Sequence, residues 1–325
     1  MQRATEIVTE GYSVSGDIEE FLDQAEKGIF EIAQRRIKQS FFPIKEVVKE
    51  SFRTIEKLFE KKELVTGVPT GFTELDRLTS GLQSSDLIVV AGRPSMGKTA
   101  FALSVVAHAS MKKKIPAAIF SLEMSKEQLA QRMLCHEARI DSSKLRGGFL
   151  AETDWPKLTR AAGTLSEAPI FIDDTPAITV LEIRAKARRL QKESGLGMIV
   201  VDYLQLIRGV GYTDNREREI SEISRSLKAL AKELHLPVIA ISQLNRMVEN
   251  RRPPIPILAD LRESGAIEQD ADLIMFLFRE EVYDRETINK GTADLIIGKQ
   301  RNGPIGTVKL AFLSQFTRFE NLARE

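Results

Sequence analysis

The stretch "VVAGRPSMGKTAFALSVV", residues 89–106, is an apolar run that enters a turn of glycine and small residues and leaves it as a helical pattern. From Gly92 to Thr99 the spacing is G-x-x-x-x-G-K-[ST], the pattern of a phosphate-binding loop set between a strand and a helix. Gly92 and Gly97 lack a Cβ, so backbone N–H groups can come close to phosphate oxygens. Lys98 supplies a charge for the β- and γ-phosphates, and Thr99 offers a hydroxyl to Mg²⁺. The helix that follows presents its N-terminus to the anion. A chance glycine-rich turn would lack the strand before and the helix after.

Outward from this stretch, from about Leu64, short apolar runs alternate with amphipathic helices: "DLIVVAG", "AAIFSLE", "PIFIDD", "MIVVDYLQL", "PVIAISQ" and "DLIMFLF". The runs lack period-two alternation, which is how strands buried on both faces of a parallel sheet read. The tail "ADLIIGKQRNGPIGTVKLAFL" differs: two strand-like runs flank Asn302-Gly303-Pro304 and predict an antiparallel hairpin at the sheet edge. The expected class is α/β, a mostly parallel sheet flanked by helices with a C-terminal antiparallel hairpin. Upstream, Ile18, Phe21, Leu22, Ala25, Ile29, Ile32 and Ala33 recur at helical spacing, with acids at the start and Arg35 and Arg36 at the end, as a helix dipole favours. A second helical face follows in Ile44, Val47, Val48, Ile55 and Phe59. The expected organisation is residues 1–16 as the remnant of an upstream region, 17–40 as a linker helix, and 41–325 as the α/β domain.

The chain has 325 residues, 42% hydrophobic and 29% charged, with a formal net charge of +1. That suits a packed domain, and any basic surface for nucleic acid has to be local. One cysteine, Cys135, excludes an intramolecular disulfide and agrees with a reducing, cytoplasmic setting. No apolar run is long enough to span a bilayer, so no membrane partner is expected.

Three further positions lie at predicted strand ends, where ligands bind in open α/β sheets. Asp202 follows four apolar residues, and a carboxylate there can hold Mg²⁺ through water; a helix cap is the plainer alternative. Glu123 ends "AAIFSLE", where an acid can orient and activate a water; it also falls in the N-cap region of a helix starting near Ser125. Gln243, after "VIAIS", suits either a γ-phosphate sensor or a packing residue. The next loop gathers Arg246, Arg251, Arg252 and Arg262 with prolines and few aromatics, a composition for phosphate contact rather than base stacking, or for plain solvation.

"GRPSMGKT", "FSLEMS", "IVVDYLQL", "ISQLNR", "LRESGAIEQDADLIMFLFR" and "KQRNGP" resemble, in order, the successive motifs of the DnaB family of bacterial replicative DNA helicases. The resemblance runs from the helix at Asp17 to the C-terminus, without departure inside the motifs. It implies a RecA-like P-loop ATPase that forms a homo-hexameric ring around single-stranded DNA and moves 5′ to 3′, using ATP and Mg²⁺. By that similarity Ser95, Gly97, Lys98, Thr99, Ala100 and Arg132 contact the nucleotide, with Thr99 and Asp202 at the Mg²⁺. Glu123 is implied as the catalytic base and Gln243 as the sensor. Lys299 and Arg301 match basic residues that reach a neighbour's γ-phosphate, and Arg262, Glu263 and Gly265 match a DNA-backbone loop. The family's replication partners include a loader and primase; its helical N-terminal domain, which engages primase, is not among these motifs. A RecA-like recombinase and a nucleotide-gated DNA-binding module are the alternatives, the second disfavoured because a pure switch needs no acid at Glu123.

Overall fold

Leu87–Gly92 forms β1, buried along its whole length, and it is hydrogen-bonded in parallel on both sides, to β5 (Val238–Gln243) and β6 (Leu273–Phe278). A strand so placed has no solvent face, which is why its sequence shows no polar alternation. A computed structural model of the chain describes residues 43–61, 65–209 and 216–323. The remaining strands are β2 (Ala117–Ser121), β3 (Ile170–Asp173), β4 (Met198–Asp202), β7 (Thr292–Gln300), β8 (Gly306–Leu313) and β9 (Arg318–Asn321). Among the described residues these nine strands make one sheet in the order β3-β2-β4-β5-β1-β6-β7-β8-β9. The first six in that row are parallel and are the six apolar runs of the sequence. The hairpin expected around Asn302–Pro304 is β7–β8, antiparallel to each other, with β7 antiparallel to β6. It is not the edge: β9 adds a third antiparallel strand outside it.

In chain order the helices are α1 (Ile44–Lys61), α2 (Thr73–Thr79), α3 (Lys98–Ala107), α4 (Lys126–Ala138), α5 (Ser142–Gly147), α6 (Trp155–Ser166), α7 (Val180–Ser194), α8 (Arg216–Leu234) and α9 (Gly265–Asp270). Within the unit that holds the sheet, helices pack on both of its faces. Ile88 and Val90 of β1 join Ile119, Val200, Ile239 and Met275 in a core closed by Phe101 and Val105 of α3. Leu87, Val89 and Ala91 point the other way, to Ile183 and Ala187 of α7, Ile223 and Leu227 of α8, and Ile267 of α9. The period of two is present after all, hidden because both faces are apolar. Helix α3 is buried from Ala100 to Ala107, so it is apolar all round. Its Phe101 stacks on Phe72 at 5.2 Å and meets Phe319 of β9 edge-on at 6.0 Å. The helix that starts at the phosphate loop is thereby wedged between sheet and C-terminal strands.

The chain divides into two compact units, Met1–Glu63 and Leu64–Glu325. The sequence reading drew the start of the α/β domain at residue 41, ahead of α1, which belongs to the first unit. Helix α1 is the second helix read from the sequence, and Ile44, Val47, Val48, Phe52 and Ile55 along it are exposed. The helix expected from Asp17 and the remnant at 1–16 lie outside the described residues.

At the N-terminal ends of the strands, buried Asp272 accepts from the Leu87 amide at 2.8 Å and pairs with Lys228 of α8. Asp86 lies beside this pair. Burial, and then the nearby Asp272 charge, push its carboxyl up to about 6. A carboxyl raised by folding favours the folded state fully below its ordinary value near 4 and loses that contribution as pH climbs through 6. Asp86→Asn should therefore be more stable than the parent at pH 7, with the difference vanishing near pH 4. Urea unfolding at the two pH values checks this; a difference that does not change with pH overturns the assignment.

Candidate active site

Because β2, β4, β5 and β1 run in one direction as neighbours, their carboxyl ends form a row. The register pairs Ser121 with Asp202 and Gly92 with Gln243. The phosphate loop leaves β1 at the end of this row. At Gly92 a Cβ would stand 3.0 Å from the Leu277 carbonyl oxygen of β6, tighter than an ordinary contact. Gly97 is required by the loop, with φ of +95° and Phe319 carbons 3.1 Å from where a Cβ would sit. Ser95 is also left-handed, at φ 66°, without being glycine. Helix α3 begins directly after Gly97 and no side chain caps it. Its first N–H groups therefore remain available to an anion, together with the positive end of the helix dipole.

The resulting cleft, about 470 Å³, is lined by Ser95, Gly97, Lys98, Thr99, Ala100, Glu123, Arg132, Asp202 and Gln243, together with Pro94, Tyr203, Phe312 and Thr317. All nine residues in the first group were singled out from the sequence. The Thr99 hydroxyl donates to Asp202 Oδ2 at 2.7 Å. Asp202 is buried, which drives its carboxyl above the ordinary range against the Thr99 hydrogen bond. Lys98 donates to the Arg93 carbonyl oxygen at 3.1 Å. Burial lowers its ammonium to about 8, while Asp202 and Glu123 act in the opposite direction. Both charges are thus under-solvated and face a polar space, which is the condition for a site completed by a charged ligand. Among the described residues no cluster of three or more His, Cys, Asp or Glu forms a metal cage. A hydroxyl and a buried carboxylate at the edge of a phosphate loop instead suit Mg²⁺, which keeps several waters and takes its other ligands from phosphate.

Glu123 lies in the bend after β2 and is exposed. The capping role that competed with its functional reading belongs to Ser125, which accepts from the Gln128 N–H while Gln128 returns a bond to the Ser125 amide. Gln243 ends β5 and is exposed, not packed. A second cleft of about 450 Å³ adjoins the first, shares Glu123, Arg132 and Thr317, and adds Gln128, Gln131 and Arg146.

Five candidates lie elsewhere. Lys299 and Arg301 are at the far end of the sheet, since Gln300 pairs with Leu273 at the start of β6. The six residues of β1 at about 3.3 Å each put roughly 20 Å between that end and the loop. The side chains do not project freely, as a hairpin tip would allow. Lys299 donates to the carbonyls of Glu268, Gln269 and Ala271, and Arg301 to that of Gln269 at 2.5 Å, with Asp272 at 3.3 Å. Cations there satisfy the open carbonyls at the C-terminal end of α9. Arg262, Glu263 and Gly265 sit on the return from β5 to β6, where a 3₁₀ segment meets α9. Within the basic loop Arg251 is taken up internally, by Asp260 and the Ile255 carbonyl.

The sequence reading missed Phe312 and Thr317, which reach the cleft from the antiparallel end of the chain, and Arg93. Arg93 is buried, pairs with Glu249 at 2.8 Å and donates to the Leu244 carbonyl at 2.8 Å, so it ties the loop to the segment after β5.

Six parallel strands with a phosphate loop on an inner one define a RecA-like P-loop fold. The chain belongs to the DnaB-like helicase C-terminal domain family, whose model matches residues 67–321. It is 55% identical to the replicative DNA helicase DnaC of Bacillus subtilis (strain 168), over all of this chain and 72% of that protein. Identity to the replicative DNA helicase DnaB of Geobacillus stearothermophilus is 54% over the same shares. Among solved structures, one of a DnaB-like replicative helicase, described with its interactions with primase, aligns at a TM-score of 0.80 and 37% identity over 99% of this chain and 75% of that one. Another, described as an ATPase domain, aligns at 0.83 and 41% identity, over 87% and 100%.

Gly97→Ala places a methyl group against Phe319 in a conformation that costs an L residue about 1 kcal/mol or more. The variant should melt lower than the parent and bind ADP more weakly. Unchanged values in a melting curve and a calorimetric titration would show that the loop has a second conformation open to it.

Proposed function

We propose that the chain is the ATP-driven motor of a replicative DNA helicase, hydrolysing ATP with Mg²⁺ between the subunits of a homo-hexameric ring that moves 5′ to 3′ along single-stranded DNA. Membership of the replicative helicase family is established by the similarity above. The observation that carries the finer reading is a split. The phosphate loop, Asp202 and Glu123 share one cleft, whereas Lys299 and Arg301 stand at the opposite end of the sheet.

Each residue then has a physical task. The loop amides and Lys98 offset charge on the β- and γ-phosphates. Thr99 and Asp202 hold Mg²⁺, which supplies Lewis-acid charge to the phosphates when bound. Glu123 accepts the proton of the attacking water. Gln243 reads the γ-phosphate and passes its state to the basic segment that follows. Arg132 adds a nucleotide contact from α4. Lys299 and Arg301, too far from their own loop, serve the neighbour's nucleotide, a guanidinium suiting phosphate through its rigid fork. Arg262, Glu263 and Gly265 contact the DNA backbone. A loader and primase are the proposed protein partners, with primase contact made outside the residues matched here. Residence in the cytoplasm belongs to the same proposal; no described helix is long and apolar enough to cross a membrane.

Lys98→Ala should abolish ATP hydrolysis, and Glu123→Gln should keep ATP binding while hydrolysis falls by about 10² or more. A collapse of ATP affinity in Glu123→Gln would make that residue structural. Arg301→Ala should also lose hydrolysis with ATP binding retained. Mixing Arg301→Ala with Lys98→Ala subunits creates junctions with an intact loop on one side and an intact Arg301 on the other, so hydrolysis should partly return. Full activity of Arg301→Ala by itself would remove the action in trans.

A further inference from the structure

Arg279, the residue directly after β6, stands behind the phosphate loop and is not among the residues that line the cleft. Its side chain is 11% exposed. One terminal nitrogen donates to the Ser95 carbonyl oxygen at 2.9 Å. Nε donates to Glu281 Oε1 at 3.1 Å, and the second terminal nitrogen reaches the same oxygen. The other oxygen of Glu281 accepts the Gly291 N–H at 2.8 Å, which fixes this carboxylate to the start of β7. The guanidinium carbon lies 3.9 Å from the centre of the Phe312 ring, on β8.

Ser95 is the loop residue that takes a left-handed conformation without being glycine. Such a residue persists where its surroundings over-determine it. A cation that holds its carbonyl from outside the cleft keeps the negative end of that peptide dipole away from the space where phosphates would lie. We propose that Arg279 is a positioning residue for the nucleotide: it fixes the Ser95 peptide in the phosphate-accepting orientation and braces the loop against β7 and β8. The inference rests on the reading of the cleft as a nucleotide site. Lysine cannot substitute, because it lacks both the rigid fork that spans Ser95 and Glu281 and the flat face that covers Phe312.

The test compares Arg279→Met, Arg279→Lys and Lys98→Ala in the full chain, by thermal melting, by titration with a fluorescent ADP, and by steady-state ATP hydrolysis. In Arg279→Met the affinity for ADP should fall by roughly tenfold and KM for ATP should rise in step, while kcat changes by less than about threefold, since the groups that do the chemistry remain. Arg279→Lys should show the same split with a smaller loss. Glu281→Gln, which keeps the arginine and removes its anchor, should do likewise and carries the test if Arg279→Met does not fold. Unchanged ADP affinity, an Arg279→Lys variant equal to the parent, or a loss of kcat that follows the loss of folded protein would each overturn the proposal. If Lys98→Ala still binds ADP normally, the nucleotide reading itself fails; if it does not and the Arg279 variants do, only this inference fails.

Discussion

The parallel ladder of β1 with β5 and β6 is the constraint on which the rest depends. Each backbone amide in these strands is buried and has to be paired, and a parallel partner can be brought alongside only by a crossover connection that returns the chain to the other end of the sheet. That requirement forces the crossovers through α3, α7 and α8 and gathers the carboxyl ends of four strands at one rim. The meeting of Thr99 and Asp202 at 2.7 Å, across 103 residues of chain, follows from strand order and not from any local preference. The same ladder brings Leu277 so close to Gly92 that a side chain there would crowd its carbonyl oxygen.

The site stores its charges in a state that water would not choose. Asp202 is ionisable but buried, and Lys98 is a cation whose burial outweighs two nearby carboxylates. Hydrogen bonds hold both groups in place, Asp202 to the Thr99 hydroxyl and Lys98 to the Arg93 carbonyl oxygen. In the proposed function, a polyphosphate with a divalent cation would supply the complementary charges, so that binding relieves the protein as well as holding the ligand. Positioning is finished from a distance: Arg93 ties one side of the loop to the segment after β5, and Arg279 the other to the antiparallel strands.

What could be read from the sequence follows the range of the interactions involved. The six parallel strands were legible because burial on both faces leaves an unbroken apolar run, and the cleft residues at their ends followed from that reading. Glu123 and Gln243 are ambiguous in sequence because an acid or amide at a strand end reads alike as cap, packing residue or ligand contact; in the fold Ser125 makes the cap and Gln243 is exposed. Phe312, Thr317 and Arg279 carried no local signal, because their partners lie 184 residues away in the case of Ser95 and Arg279. The attachment of Lys299 to the carbonyls of α9 carries no local signal either, since its partners lie about 30 residues away. The apolar stripe of α1 reads alike in sequence whether it covers its own domain or another surface, so its periodicity alone assigns it to neither.

The two margins of the sheet, β3 and β9, are four residues each, shorter than any strand between them. An open margin is a row of unpaired amides and carbonyls that another chain's strand can extend. Here the row is brief, and charged side chains stand along it: Asp173 engages Lys186, while Arg318 and Glu320 pair with each other on β9. Short strands and charged side chains at an open margin disfavour its extension by a foreign strand, so the two hems of this apolar sheet guard it against edge-to-edge association.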